Sequence, residues 1–195
     1  MPGVIQSRAA SRFDVPYGIF TDRMLGAVAS HIAGRVVHDL GAGDCVLAIT
    51  LLSSGAAAVE AVDKESLWSG IHLPPGGCYH QSAFVNYSPE AIDVAFVAWP
   101  ENTRSVTTAL LPLLQRAKTI VYLGKNTGGV MCGTPALFEH FAGRELLAYE
   151  PNRLNVLCVY GDPLGHQRAG AELRQEEVAG LTANQADALL DYSDT

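Results

Sequence analysis

The sequence predicts an α/β protein in which helices cover both faces of a mostly parallel seven-stranded sheet, a three-layer sandwich that ends in an antiparallel hairpin. Short β-branched runs alternate with segments of helical period along residues 22–141, a pattern typical of parallel strands joined by crossover helices. A strand, a glycine turn, a helix and a second strand follow one another within residues 35–62, which indicates a βαβ unit. The last two strands, 145–149 and 155–160, have no helix between them and should therefore pair antiparallel.

The first helix is predicted over residues 22–32, where apolar side chains recur at helical spacing. Thr21 or Asp22 can cap its beginning, and Gly34 can end it. The β-branched run 35–40 then predicts the first strand.

The strand leads into a Gly-Ala-Gly turn at 41–43. Residues 45–53 are apolar on nearly every side, as expected for a helix packed beneath a sheet, and Gly55 can end this helix. The run 58–62 predicts the second strand, which closes on Asp63.

The alternation continues to residue 160. Further strands are predicted at 78–81, 92–98, 119–123, 145–149 and 155–160, and further helices at 103–117 and 135–141. A bend or a restart of the first of these helices is expected at Pro112, whereas Pro135 suits the first turn of the second. The residues 1–164 are thus predicted to form one domain with an N-terminal arm at 1–21, followed by a polar, acidic appendage at 165–195 with a short helix.

Composition and charge exclude several classes of protein. Of 195 residues, 48% are hydrophobic and 17% charged, and the mean hydropathy is +0.14, which excludes a largely disordered or fibrous chain. The net charge of −7 argues against a protein that grips nucleic-acid phosphates over a broad face. Four widely spaced cysteines without a Cys-x-x-Cys pair, no apolar leader in 1–14 and a polar-interrupted span at 46–62 favour a cytoplasmic protein without a membrane segment.

A ligand-binding site is predicted at the segment Asp39-Leu40-Gly41-Ala42-Gly43-Asp44-Cys45, together with Asp63. Two glycines let the backbone approach a ligand where strand becomes helix, and a carboxylate at the end of the next strand can accept both ribose hydroxyls of an adenosine cofactor. Dinucleotides usually require Gly-x-Gly-x-x-Gly, but Val46 stands at the third glycine position. Asp39 and Asp44 also bring negative charge to the place of a pyrophosphate, so a cationic ligand is favoured.

The motif Asp39 to Cys45 resembles the first motif of the class I S-adenosylmethionine-dependent methyltransferases, with Cys45 where a third glycine often stands. That family has a Rossmann-like sheet whose last strand inserts antiparallel, similar to the order predicted here. Pro16-Tyr17 and Thr21 resemble one subgroup, whose first motif reads Asp-Leu-Gly-Ser-Gly-Asp-Gly and which includes protein-lysine methyltransferases.

The resemblance implies a role for each matching residue. It implies that Asp39, Gly41, Ala42 and Gly43 hold the methionine moiety of S-adenosylmethionine and that Asp63 holds the ribose. By the same resemblance, other positions contact the cofactor or the methyl acceptor. Ser82 and Ala83, with Gln81, would flank the adenine, Tyr17 would lie over the cofactor, and Ala98, Trp99 and Pro100 would wall the methyl-transfer pocket.

The methyl acceptor is unidentified, either a protein side chain or a small molecule. Ala98-Trp99-Pro100-Glu101 lacks the Asn or Asp and Pro-Pro of amino-methylating enzymes that act on bases, so nucleic acid is disfavoured. Trp99, Glu101, Tyr122 and His80 are candidate catalytic residues, and the last three could accept a proton. The six histidines show no metal-ligand spacing, and no metal is expected. An NAD(P)-dependent oxidoreductase and a catalytically silent binding protein on the same fold are the alternatives.

Overall fold

The computed structural model describes residues 20–65, 67, 71–125, 132–152 and 155–163. Within them lies a seven-stranded sheet of order β3-β2-β1-β4-β5-β7-β6. The strands are β1 (Val36–Leu40), β2 (Ala58–Asp63), β3 (Gly77–Gln81), β4 (Ile92–Ala98), β5 (Ala117–Gly124), β6 (Arg144–Pro151) and β7 (Val156–Pro163). The helices are α1 (Asp22–Ile32), α2 (Val46–Ser53), α3 (Arg104–Arg116) and α4 (Pro135–Ala142), with a 3-10 turn at Phe84–Asn86.

The strand directions confirm the predicted fold class. The five strands β1 to β5 pair in parallel, whereas β7 pairs antiparallel with both β5 and β6. The hairpin of the last two strands is therefore inserted so that β7 lies inside the sheet and β6 forms its edge. Each predicted strand and helix up to residue 163 is present, with bounds that differ by at most three residues.

Two apolar cores lie on the two faces of the sheet. The face under α1 and α2 buries alternate strand residues such as Val37 and Phe96 together with Met24 and Leu51 of the helices. The face under α3 and α4 buries the other set, including Leu40, with Phe141. The sequence of β4 shows little alternation of polar and apolar residues because both faces of this central strand are covered.

The helix bounds follow from local signals in the sequence. Thr21 caps α1 by accepting a hydrogen bond from the backbone N–H of Met24, 3.2 Å away, and Thr103 caps α3 similarly. The bend or restart expected at Pro112 does not interrupt α3, which runs unbroken from Arg104 to Arg116. Pro112 lies on the exposed side of the helix, where the carbonyl left without a partner can bond to water.

The order of the strands determines where a ligand can bind. From β1 the chain proceeds through β2 and β3 to one edge and then returns to place β4 on the other side of β1. Ligands of open α/β sheets bind beyond the carboxyl ends of the strands at such a reversal. The residues that follow β1, β2 and β4 are those singled out by the sequence.

No helix among the described residues is long and apolar enough to cross a bilayer. The appendage at 165–195 and nearly all of the arm at 1–21, including Tyr17, lie outside the described residues.

Candidate functional site

The glycine turn between β1 and α2 has the conformation that the sequence predicts. Gly41 (φ 93°) and Gly43 (φ 52°) both occupy the left-handed region, which side chains disfavour. The N–H groups of Gly41 and Ala42 donate to the carbonyl of Val62, at 2.9 and 3.1 Å. The turn is thereby fixed against the end of β2, close to Asp63.

Cys45 stands where the first motif often has a third glycine, and its backbone conformation shows why glycine suits this position. Its φ of 59° is also left-handed, so the chain follows a path that glycine would adopt without strain. The side chain is fully buried, and burial together with the nearby carboxylates of Asp39, Asp44 and Asp63 raises the pKa of its thiol to about 12. Cys45 is therefore a neutral, buried residue and not a nucleophile.

Asp39 lies in β1, two residues before the turn, and has an unusual environment. Its side chain is 1% exposed, and neither carboxylate oxygen has a hydrogen-bond partner among the described residues. Burial raises the pKa of Asp39 to about 7, and the negative charges of Asp63 and Asp44 add to this effect. A buried carboxylate without a partner is costly, so a cation or a hydrogen-bond donor at this point would stabilise it.

Asp63 lies at the end of β2 and connects the two sides of the turn. One carboxylate oxygen accepts the N–H of Gly43 at 2.9 Å, and the other accepts the N–H of Glu65 at 3.0 Å. Each oxygen keeps a further lone pair, so a half-buried carboxylate held in this way can still accept hydroxyl groups.

Residues after β3 complete this side of the site. The N–H of Ser82 donates to the carbonyl of Asp63 at 2.8 Å, which brings Ser82 and Ala83 beside the end of β2. The ring of Phe84 lies against the glycine turn, since a Cβ built on Gly41 would be 3.8 Å from it. An aromatic ring is thus available next to the backbone of the turn.

The end of β4 forms the other side of the reversal. Trp99 follows Ala98 with a φ of 45°, an uncommon conformation for a bulky side chain, and its N–H donates to the carbonyl of Leu123 at 2.7 Å. The carbonyl of Pro100 accepts the N–H of Gly133 at 2.7 Å. The chain after β4 is thereby fixed to two later segments, and the half-buried indole of Trp99 packs against the core under α1 and α2.

The structure does not bring all predicted catalytic residues to this place. Tyr122 and His80 project from the face of the sheet opposite to Asp39, because their register partners alternate with its own. The hydroxyl of Tyr122 is buried and donates to the carbonyl of Lys125. Glu101 is exposed beyond the end of β4.

Three aromatic residues near the site were missed by the sequence analysis. Phe84 is one; Phe20 packs edge-on against Phe96, the register neighbour of Asp39, with ring centroids 6.2 Å apart. Tyr79 donates its hydroxyl to the carbonyl of Glu65 at 2.5 Å and so holds the chain after β2. An aromatic residue just after a predicted strand was the available signal for Phe84.

Comparisons with known proteins agree with this architecture. No protein-family model and no curated protein sequence matches the chain. Among solved structures, the Burkholderia thailandensis 1,6-didemethyltoxoflavin-N1-methyltransferase, with bound S-adenosylhomocysteine, superposes with a TM-score of 0.56 at 16% identity, over 83% of this chain and 88% of that chain. The ribosomal protein L11 methylase of Lactobacillus delbrueckii subsp. bulgaricus gives 0.52 at 14%, over 72% and 76%. A Pyrococcus horikoshii protein described as an RNA methyltransferase gives 0.52 at 15%, over 73% and 83%.

The chain has the Rossmann-like fold of these methyltransferases. Their names include a small molecule, a ribosomal protein and RNA, so the fold does not define the acceptor. The resemblance to the protein-lysine subgroup stays a prediction.

Proposed function

We propose that this protein binds S-adenosylmethionine beyond the carboxyl ends of β1 and β2 and transfers its methyl group to a protein side chain or a small molecule. The observation that carries the proposal is the carboxylate of Asp39, which is buried, has no partner among the described residues and lies beside a left-handed glycine turn. Such a group is stabilised by a positively charged ligand.

The charges of the site fit this cofactor and not a dinucleotide. Burial raises the pKa of Asp39, and the negative charges of Asp63 and Asp44 raise it further. S-adenosylmethionine carries a sulfonium and an ammonium group, which would lower that pKa again. The pyrophosphate of NAD would add two negative charges to the same place, and Asp44 accepts the N–H of Val46 at 3.2 Å, where a pyrophosphate would need free donors.

Individual residues would hold separate parts of the cofactor. Asp39 and the backbone of Gly41–Gly43 would hold the methionine moiety, whose charges the carboxylate complements. Asp63, already oriented by two backbone N–H groups, would accept the ribose hydroxyls. Ser82 and Ala83 would flank the adenine. The ring of Phe84 lies close to the glycine turn and would cover the adenine.

The bound cofactor supplies a methyl group that its sulfonium already activates. The residues of the chain then contribute orientation and exclusion of water. Trp99 would form a wall of the acceptor site, and its left-handed backbone is the kind of strain that persists at functional positions. Tyr122 and His80 are not proposed as bases, because they project from the opposite face of the sheet.

A protein or small-molecule acceptor is favoured over nucleic acid by two features. The net charge of −7 opposes broad phosphate binding. The end of β4 presents Ala98-Trp99-Pro100-Glu101, whose first residue is alanine and so provides no amide or carboxylate to orient an exocyclic amine.

Calorimetric titration tests the cofactor. S-adenosylmethionine and S-adenosylhomocysteine are each expected to bind one to one, and NAD is expected to give no heat. The Asp39→Asn and Asp63→Ala variants should bind more weakly, while Glu139→Gln, an exposed change on α4, serves as the control. An absence of heat with both S-adenosylmethionine and S-adenosylhomocysteine refutes the proposal.

Transfer is tested separately with cofactor labelled in its methyl group. Incubation with a cell lysate, followed by separation of protein, nucleic-acid and small-molecule fractions, should place the label in protein or small molecules. Label in nucleic acid contradicts the proposed acceptor. Tight binding without transfer to any fraction identifies a silent binding protein.

A further inference from the structure

A row of side chains that can bind a metal ion crosses the sheet on the face opposite to Asp39. His38 of β1 pairs in register with Glu60 of β2, and Glu60 pairs with Cys78 of β3. His80, two residues after Cys78, projects from the same face. Three strands therefore bring four candidate ligands to one surface, away from the proposed cofactor site.

Three of these residues converge closely. The ligand atoms of Glu60, Cys78 and His80 all lie within 4.8 Å of one another. In a tetrahedral zinc site with bonds of about 2.0–2.3 Å, ligand atoms are roughly 3.3–3.8 Å apart, so small side-chain rotations are sufficient. In the structure, Nε2 of His80 is hydrogen-bonded to the carboxylate of Glu60. A cation bound between these two side chains would replace this hydrogen bond.

The surroundings favour a cation. Glu60 and His80 of the cluster line a groove of about 610 Å³, whose lining holds three carboxylates and, among the described residues, no lysine or arginine. One of these carboxylates, Asp93, is paired with Arg35 at 2.8 Å and with Lys118 at 3.5 Å. Glu60 and Glu90 contribute the remaining negative charge of the groove.

We propose that Glu60, Cys78 and His80 bind a Zn²⁺ ion, with water from the groove as the fourth ligand. Thiolate and imidazole are ligands of zinc, whereas Mg²⁺ and Ca²⁺ prefer oxygen alone. The Zn–S bond forms as the thiol of Cys78 loses its proton to solvent, so binding releases one proton from this group. Sequence spacing predicted no metal, because the ligands come from two strands whose register the sequence does not define.

The site would join the edge strand β3 to β2. Tyr87 contacts two histidines at the site. Its hydroxyl is 2.7 Å from Nδ1 of His38, and its ring centroid is 5.4 Å from that of His80. Since β2 and β3 end at Asp63 and Gln81, an ion at this place would also stiffen the strands that lead to the proposed cofactor site.

Thiol reactivity provides a test that does not depend on methyl transfer. All four cysteines lie among the described residues, and Cys78 alone of them is exposed, so a thiol reagent should modify it faster than the three buried thiols of the folded protein. One equivalent of Zn²⁺ is expected to slow this reaction at least about tenfold, and Mg²⁺ is expected to have no effect. At a Zn²⁺ concentration a hundred times its Kd, Tm should rise by roughly 5–10 °C.

Variants distinguish this site from other zinc binding. His80→Ala and Glu60→Gln should each weaken Zn²⁺ binding at least about tenfold and abolish the protection of Cys78, whereas His72→Ala, an exposed histidine outside the cluster, should change neither. Cys78→Ser tests the same point with an exposed residue whose replacement leaves the core intact, and its Tm should no longer respond to Zn²⁺. Unchanged Zn²⁺ affinity in Cys78→Ser, or unprotected Cys78 in the Zn²⁺-saturated native protein, refutes the site.

Discussion

Replacing Asp39 by asparagine should make the protein more stable at neutral pH while it weakens the binding of ligand. In the folded chain the pKa of Asp39 is raised from 3.8 to about 7. The native state therefore binds more protons than the unfolded state between these values, and stability falls as pH rises through this window. At about 1.36 kcal/mol for each pKa unit, the loss approaches about 4 kcal/mol at pH 8. Asp39→Asn removes the charge and avoids this loss.

Urea unfolding of the ligand-free protein at several pH values measures this difference. The free energies of unfolding of the native protein and Asp39→Asn should be similar near pH 4 and diverge toward pH 8, where the variant is more stable by about 4 kcal/mol. Glu139→Gln, the exposed control, should follow the native protein. A difference between native and Asp39→Asn that stays constant from pH 5 to pH 8 contradicts the assignment of the raised pKa to Asp39.

The same titration has a counterpart in ligand binding. A cationic ligand binds the ionised carboxylate, so affinity should decrease as pH falls below about 7. If binding restores the pKa of Asp39 to about 4, the affinity of S-adenosylmethionine at pH 5.5 is roughly 20-fold lower than at pH 7.5. This range lies below the pKa of about 8 of an α-amino group, which keeps the charge of the ligand nearly constant. In Asp39→Asn the affinity should be low at both pH values, and a retained pH dependence there would assign it to another group.

Substitutions at three other residues test the site and its support. Asp63→Ala should weaken S-adenosylhomocysteine binding at least about tenfold, with Asp63→Asn intermediate because its amide oxygen still accepts; unchanged calorimetric affinity in Asp63→Ala would refute the ribose role. Gly41→Ala should lower the free energy of unfolding in urea by about 1–2 kcal/mol, since its φ is 93° and the added Cβ, 3.8 Å from Phe84, causes no clash; an unaltered value would contradict the left-handed turn. Arg144→Ala should lower the free energy of unfolding by about 3 kcal/mol, because the buried guanidinium donates to two backbone carbonyls at 2.8 and 2.9 Å. A decrease below about 1 kcal/mol in urea unfolding would show that these hydrogen bonds contribute little.

Most of the fold could be predicted from the sequence because the strands and helices have strong local signals. Residues 92–98 form a continuous apolar run that coincides with β4, and Thr21 and Gly34 bound α1 as expected. Pro112 was the exception, since a helix tolerates proline where the affected carbonyl faces solvent.

Much of the candidate site could also be predicted from the sequence, because the glycine turn and the carboxylates around it lie close together in sequence or at the ends of adjacent strands. Contacts between side chains on different strands could not be predicted. The row formed by His38, Glu60 and Cys78 depends on register, and a shift of one residue would move Cys78 to the other face. The burial of Asp39 likewise depends on Phe96 of β4, which the sequence separates from it by more than fifty residues.

The pairing of β1 with β4 has a consequence for how the protein assembles. Residues 36–63 form a local unit in which a strand, a turn, a helix and a strand can associate early, since their contacts close only short loops. The register between Asp39 and Phe96 closes a loop of more than fifty residues and is expected to form later. The ligand pocket would therefore be created only when the two halves of the sheet join, and a ligand bound there should slow the unfolding of that seam more than it speeds folding.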